Sequence, residues 1–243
     1  MTMPYFEELE PVERVLVVVA HPDDVDFGSA GTVAKWVFEG SLVAYCIVTD
    51  GDAGGFDLGI ARSEMPAIRQ SEQTNAAGIV GVSNLTFLGY KDGELQATIG
   101  LRKDISRKIR QFRPDRLICQ STERNFDRIY ASHPDHLAAA EAAICAVYPD
   151  ARNPFAFPEL LAEQLEAHAV QDVIMQASPN PNCYVDITDY VDLKIRAILE
   201  HKSQLSNPDE TAAFVRGWLE ASGVEVGLPK GRYAEMYRRV ITG

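Results

Sequence analysis

Residues 15–24, VLVVVAHPDD, decide the fold. Positions 15–20 are apolar, mostly β-branched, and show almost no polar alternation. A run of that kind reads as a strand buried on both faces, and such strands belong to parallel sheets covered by helices. His21, Pro22, Asp23 and Asp24 follow at once. The strand therefore delivers a polar tetrapeptide to its carboxyl end, where open parallel sheets carry their sites.

Working outward, the pattern repeats. Residues 28–39 read as a helix stopped by Gly40 and Ser41, and residues 42–49 (LVAYCIVT) as a second strand ending at Asp50-Gly51. A glycine-rich loop over 51–59 leads to a helix over 63–80. A short third strand is expected at 85–88. Leu101, Ile105, Ile109 and Phe112 lie at helical spacing and mark a helix over 101–112. Residues 116–120 form a fourth strand, and 136–147 an alanine-rich helix stopped by Pro149. This alternation predicts an α/β fold, Rossmann-like, with a mostly parallel sheet flanked by helices. Beyond Asp150 the signal weakens. Residues 150–158 read as a loop, 170–177 and 182–187 as strands, 190–204 as a helix, and the tail from Asn207 is mixed. No repeat or linker interrupts the chain, so residues 1–243 are expected to form a single domain.

Composition narrows the partners. The formal net charge is −12, which repels nucleic-acid phosphates and anionic membranes, so neither is expected. Cys46, Cys119, Cys145 and Cys183 are scattered without a C-x-x-C pair and read as thiols, three of them buried, not as a disulfide framework. The N-terminal stretch 1–14 is acidic and has no apolar segment of signal-peptide length. Nothing approaches the ~20 apolar residues of a membrane span. These features point to a cytoplasmic protein.

Polar clusters follow each of the four leading strands: 21–24, 50–52, the segment from Asp92, and 121–136. A parallel sheet would bring all four to one rim. Of the five histidines, His21, His133 and His136 lie in two H-P-D-x tetrapeptides, His21 to Asp24 and His133 to His136. His168, within AEQLEAHAV, reads as a structural residue. Zinc takes imidazole nitrogen and carboxylate oxygen, and a catalytic site keeps one position open for water. His21 and Asp24 are spaced i,i+3, as are His133 and His136, so each pair can face one way on a helical turn. Spacing allows all four to be ligands in a closed site, or three with the fourth in another part. Asp23 points elsewhere, either toward a metal-bound water or as the N-cap of the following helix. The glycines of Gly28-Ser29-Ala30-Gly31 lack the G-x-G-x-x-G pattern, which disfavours a dinucleotide site.

AHPDDVDFGSAGTVA at 20–34 and SHPDHLAAAEA at 132–142 resemble the PIG-L/LmbE-like family of zinc-dependent N-deacetylases. VTDGDAGG (48–55), IRQSEQTNAAGIVGV (68–82), FLGYKDGEL (87–95) and HKSQ (201–204) extend the resemblance over about residues 14–204, in the expected order. It implies one Zn2+ per chain, or another divalent transition metal, on His21, Asp24 and His136. It implies Asp23 as general base, His133 as electrophilic or general-acid histidine, and Asp135 as the group that orients His133. Arg69 and Asp92 match positions that contact the sugar; the alternative for Arg69 is a surface residue tied to Glu72 at i,i+3. Val25 stands where several members have glutamate, and Tyr130 lies three residues before the second tetrapeptide where some members have tyrosine at two. The expected reaction is removal of an N-acetyl group from an N-acetylglucosaminyl-type small molecule in a polar pocket, with acetate and a free amine as products. The expected partner is this small N-acyl sugar, with homo-oligomerisation left open. The rivals are an amidase acting on a larger thiol or sugar conjugate, and a non-catalytic zinc- or sugar-binding module.

Overall fold

Strand β2 (Arg14–Val19) lies at the heart of the sheet, hydrogen-bonded in parallel to β3 (Leu42–Thr49) on one side and β5 (Arg116–Gln120) on the other. The computed structural model describes residues 6–243; the first five residues of the acidic N-terminal stretch lie outside them. The remaining strands are β1 (Glu7–Glu8), β4 (Asn84–Tyr90), β6 (Asp172–Gln176), β7 (Cys183–Asp186) and β8 (Ala234–Ile241). The sheet order is β1-β7-β8-β6-β5-β2-β3-β4, and among the described residues only β8 runs antiparallel to its neighbours.

Helices cover both faces: α1 (Asp24–Phe38), α2 (Met65–Ile79), α3 (Ile99–Phe112), α4 (Pro134–Cys145), α5 (Pro158–Ala162), α6 (Val191–Ile198) and α7 (Pro208–Glu225). Successive strand residues point to opposite faces. Val15, Val17 and Val19 pack with Trp36 of α1, Ile198 of α6 and Leu219 of α7. Leu16 and Val18 pack with Leu101, Ile105 and Ile109 of α3 and with the alanines of α4. The unalternating run at 15–20 is thus the signature of a strand between two cores.

Several boundaries differ from the sequence expectation. Helix α1 begins at Asp24 and not at residue 28, because the chain passes from strand to helix through a turn of only a few residues. Helix α4 begins at Pro134, a residue suited to a first helical turn because its missing N–H would have no partner there. The helix expected over 190–204 ends at Ile198, with a separate short turn at Lys202–Gln204. The tail holds both α7 and β8, and β8 is inserted between β6 and β7. The glycines of 28–31 serve close packing: a Cβ on Gly31 would lie 2.5 Å from Ile187 Cδ1, and one on Gly28 2.0 Å from Gln176 Oε1. All four cysteines are free thiols, three of them buried. His168 is part-buried and bonds the Pro114 carbonyl at 2.7 Å, a structural role as expected. Among the described residues no helix is long and apolar enough to cross a membrane.

Candidate active site

From β2 the strand order runs outward through β3 and β4 on one side and through β5 and β6 on the other. The gap between β2 and β5 is therefore the switch point of the sheet, where open α/β sheets bind their ligands. His21 follows β2 and Gln120 ends β5, so the two flank that gap.

The tetrapeptide after β2 splits its side chains as its spacing suggested. His21 Nδ1 lies 3.3 Å from Asp24 Oδ2. Asp24 is fixed from several sides. Its Oδ2 accepts from the His21 backbone N–H at 2.6 Å and from Gln120 Nε2 at 2.7 Å, while Gln176 Nε2 donates to its carbonyl. Oδ1 stands 2.9 Å from His136 Nε2. His136 Nδ1 faces the Ala131 carbonyl at 3.2 Å; an N–H there turns the Nε2 lone pair toward Asp24. An imidazole lone pair and a carboxylate oxygen so close require a proton or a metal between them. Burial opposes charge on His136 and on Asp24, but their attraction prevails: the imidazole pKa is raised and the carboxyl is held well below its usual range.

His21 has carboxylates on both edges. Its Nε2 lies 3.2 Å from Asp135 Oδ2 and 3.3 Å from Asp92 Oδ1. Burial disfavours its cation, yet Asp24, Asp135 and Asp92 together push its pKa up to about 12. The pocket is built for positive charge. His21, Asp24 and His136 offer ligand atoms all within 4.8 Å of one another, and His21, His133 and Asp135 do the same. Asp135 is already engaged: its carboxylate accepts from the backbone N–H of Gly93 at 2.7 Å and of Leu95 at 3.2 Å. The mixed imidazole and carboxylate set of the first group fits a divalent transition metal.

Asp23 stands beside this set. Its φ of 100° is left-handed, a conformation that costs a non-glycine residue about 1–2 kcal/mol, and its side chain makes no cap bond to α1. Asp23 thus occupies the N-cap position without capping the helix by its side chain. Instead Oδ2 accepts from Arg69 at 3.1 Å. Burial raises the Asp23 pKa and so does Asp24, against the pull of Arg69. Arg69 is not the exposed residue of the alternative reading, and Glu72 bonds Ser203 instead. Arg69 is 3% exposed; its guanidinium donates to the carbonyls of Gly51 and Pro22 and lies 3.7 Å from Asp92 Oδ2. Asp92 in turn donates its backbone N–H to Asp52 at 3.0 Å.

His133 is oriented by the backbone of Asp135, whose N–H donates to His133 Nδ1 at 3.1 Å. That bond places the ring proton on Nε2. Burial and the neighbouring His21 and His136 lower its pKa, which favours the neutral donor. The Asp135 carboxylate bonds His21 and the 93–95 turn and not the His133 ring. Sequence reasoning assigned no role to Gln120, Gln176, Gln73, Asp26 or His201. The position of Gln120 at a strand's carboxyl end was the available signal for it, and HKSQ contained His201 without indicating its partner.

A cavity of about 580 Å³ opens from Asp24 and His136. Its far wall is largely apolar, with Phe27, Pro179, Pro181, Phe214 and Trp218, and Arg128 stands over the Trp218 ring at 5.0 Å. The expectation of a polar pocket formed by Arg69 and Asp92 is corrected here. Arg69 and Asp92 lie outside this cavity's lining, and the space beside Asp24 and His136 is bordered by aromatic and proline side chains.

Known proteins of similar sequence and fold include deacetylases. The family described as PIG-L, GlcNAc-PI de-N-acetylase, matches residues 16–147. The diacetylchitobiose deacetylase of Thermococcus kodakarensis is 33% identical, covering 96% of this chain and 85% of its own length. A probable N-acetyl-α-D-glucosaminyl L-malate deacetylase of Bacillus anthracis is 30% identical over 79% of this chain and 82% of its own. The solved structure of the N,N'-diacetylchitobiose deacetylase of Pyrococcus horikoshii with an inhibitor superposes with a TM-score of 0.86 at 30% identity, covering 94% of this chain and 84% of that one.

Proposed function

The chain belongs to the GlcNAc-PI de-N-acetylase (PIG-L) family, and on that premise we propose that it removes the acetyl group from a small N-acetylglucosaminyl compound with the help of one zinc ion. The observation that carries this reading is the His21, Asp24 and His136 donor set, with Asp23 next to Asp24 in the chain and with Asp24 and His136 lining a sugar-sized cavity. A bound divalent ion would polarise the acyl oxygen and bring the pKa of a bound water to roughly 7. His21, Asp24 and His136 would hold it. Asp24 suits this part because, among the described residues, its Oδ1 faces only the His136 ring.

Asp23 takes the proton of the attacking water. Its raised pKa brings a carboxylate closer to the basicity such a step needs, and Arg69 keeps the acceptor oxygen aimed. His133 donates from Nε2 to the oxygen that becomes negative as the acyl carbon turns tetrahedral. Asp23 then carries the proton that the departing amine needs. Arg69 and Asp92 serve by holding Asp23 and His21, since their own polar atoms are turned toward these groups. Metal binding alone requires neither Asp23 nor an Nε2–H on His133, which argues against a purely binding module.

The test is an acetate-release panel on the zinc-loaded protein. It contains N-acetylglucosamine, N,N'-diacetylchitobiose and an N-acetylglucosaminyl malate, with an acetylated amino acid and a peptide amide as controls. Acetate and free amine should appear together from at least one sugar and from neither control. Hydrolysis confined to the controls would overturn the proposal.

A further inference from the structure

Asp23 is held from α2 at both ends. Arg69 takes its carboxylate, and Gln73, one turn further on, accepts its backbone N–H at 2.8 Å through Oε1. A backbone N–H can only donate, so this contact fixes the Gln73 amide with its NH2 pointing away. That NH2 donates to Asp26 Oδ2 at 2.8 Å. His201 Nε2 meets the same oxygen at 2.8 Å from the other side, and a carboxylate oxygen can only accept from both. Gln73, Asp26 and His201 are each 0% exposed. Bulk water does not reach these groups, and among the described residues Asp26 Oδ1 and His201 Nδ1 have no hydrogen-bond partner. The segment carrying His201 is fastened to α2 as well, through Ser203 N and Oγ on Glu72 at 2.8 and 2.7 Å.

We infer that His201, Asp26 and Gln73 form a hydrogen-bond chain, its donors converging on Asp26 Oδ2, that holds Asp23 in its left-handed conformation, making all three positioning residues for the hydrolysis. None of them touches the His21, Asp24 and His136 donor atoms through a hydrogen bond. Their effect reaches the reaction through Asp23 alone. The chain depends on polarity at every link. Without the His201 donor, Asp26 loses half of the bonding at Oδ2; without Asp26, the Gln73 amide is held by the Asp23 N–H alone and its NH2 has no acceptor. This explains why HKSQ, distant from both H-P-D tetrapeptides in sequence, belongs to the site. The inference rests on the assignment of Asp23 as base.

The experiment compares His201→Phe, His201→Gln and Gln73→Met in the zinc-loaded protein, with crystal structures of each variant. Glutamine places an N–H near the position of imidazole Nε2; phenylalanine and methionine keep bulk and remove the polar contact. For His201→Phe and Gln73→Met, kcat should fall on the order of 10- to 100-fold with KM and zinc content unchanged, as expected for a misplaced catalytic group. His201→Gln should retain most of kcat. In Gln73→Met crystals, Asp23 should leave its left-handed conformation and its contact with Arg69. The inference is overturned if Asp23 keeps its φ in Gln73→Met, if His201→Gln is as impaired as His201→Phe, or if the loss follows zinc content. Should His201→Phe not fold, Gln73→Met and His201→Gln still decide it. The crystallographic result stands whether or not an N-acetyl sugar is hydrolysed, so failure of the substrate assignment is seen separately.

Discussion

Asp23 and Asp24 are adjacent and chemically alike, yet their surroundings give them opposite properties. Asp24 faces two imidazoles, a backbone N–H and an amide, and its acid form is strongly disfavoured. Asp23 is half-buried next to that charge with one guanidinium for support, and desolvation raises its pKa. The split comes from the left-handed turn at Asp23, which the sequence does not advertise because glycine is the usual residue there. Asp23→Asn should lower kcat by about 10²-fold or more while zinc content and Tm stay unchanged. His136→Ala should instead lose zinc, measured by elemental analysis. Arg69 belongs to the same argument. Its side chain is 4% exposed between Asp23 at 3.1 Å and Asp92 at 3.7 Å. Arg69→Met leaves two part-buried carboxylates without their cation, which typically costs about 3–5 kcal/mol. Chemical denaturation should register that loss, and kcat should fall more than KM rises. A change confined to KM would return Arg69 to a direct substrate contact.

Elements with a local signal were legible and those completed by distant partners were not. β3 and β5 have the bounds their apolar runs suggested. The α3 stripe at Leu101, Ile105 and Ile109 is fully buried. β8, with sequence AEMYRRVI, has consecutive arginines and reads poorly as a central strand. Its reason lies elsewhere. Arg239 bonds Asp172 of β6 at 2.8 Å, while Arg116 of β5 reaches the same carboxylate at 2.7 Å. Glu235 of β8 accepts from Lys194 at 2.6 Å and from the backbone N–H groups of Gly31 and Thr32. These pairs join the tail to α1, α6 and the sheet, across separations that no local pattern encodes. Residues 208–243 are therefore structural. A chain ending at residue 207 would leave the facing edges of β6 and β7 unpaired and Lys194 buried without its carboxylate. It should be recovered only as aggregated or unfolded protein, judged by gel filtration and circular dichroism. A folded, zinc-binding truncation would contradict this reading of the tail.

At the scale of the molecule, the parallel sheet brings residues from 21 to 201 around one switch point. The residues at the carboxyl strand ends were legible because that convergence is a property of the fold. The supports behind them were not, since Gln73, Asp26 and His201 acquire meaning only through one another. The cavity was misjudged for the same reason. Phe214 and Trp218 of α7 and Pro179 and Pro181 come from the region whose pattern was least clear, and they give the pocket an apolar wall. The central claim is that one zinc ion on His21, Asp24 and His136 enables hydrolysis assisted by Asp23. The most direct measurement titrates zinc into metal-free protein and follows acetate release from the best N-acetyl sugar of the panel. The account predicts no release without metal, a linear rise, and a break at one equivalent per chain. Full activity in the metal-free protein, or a break that His136→Ala leaves in place, would contradict it.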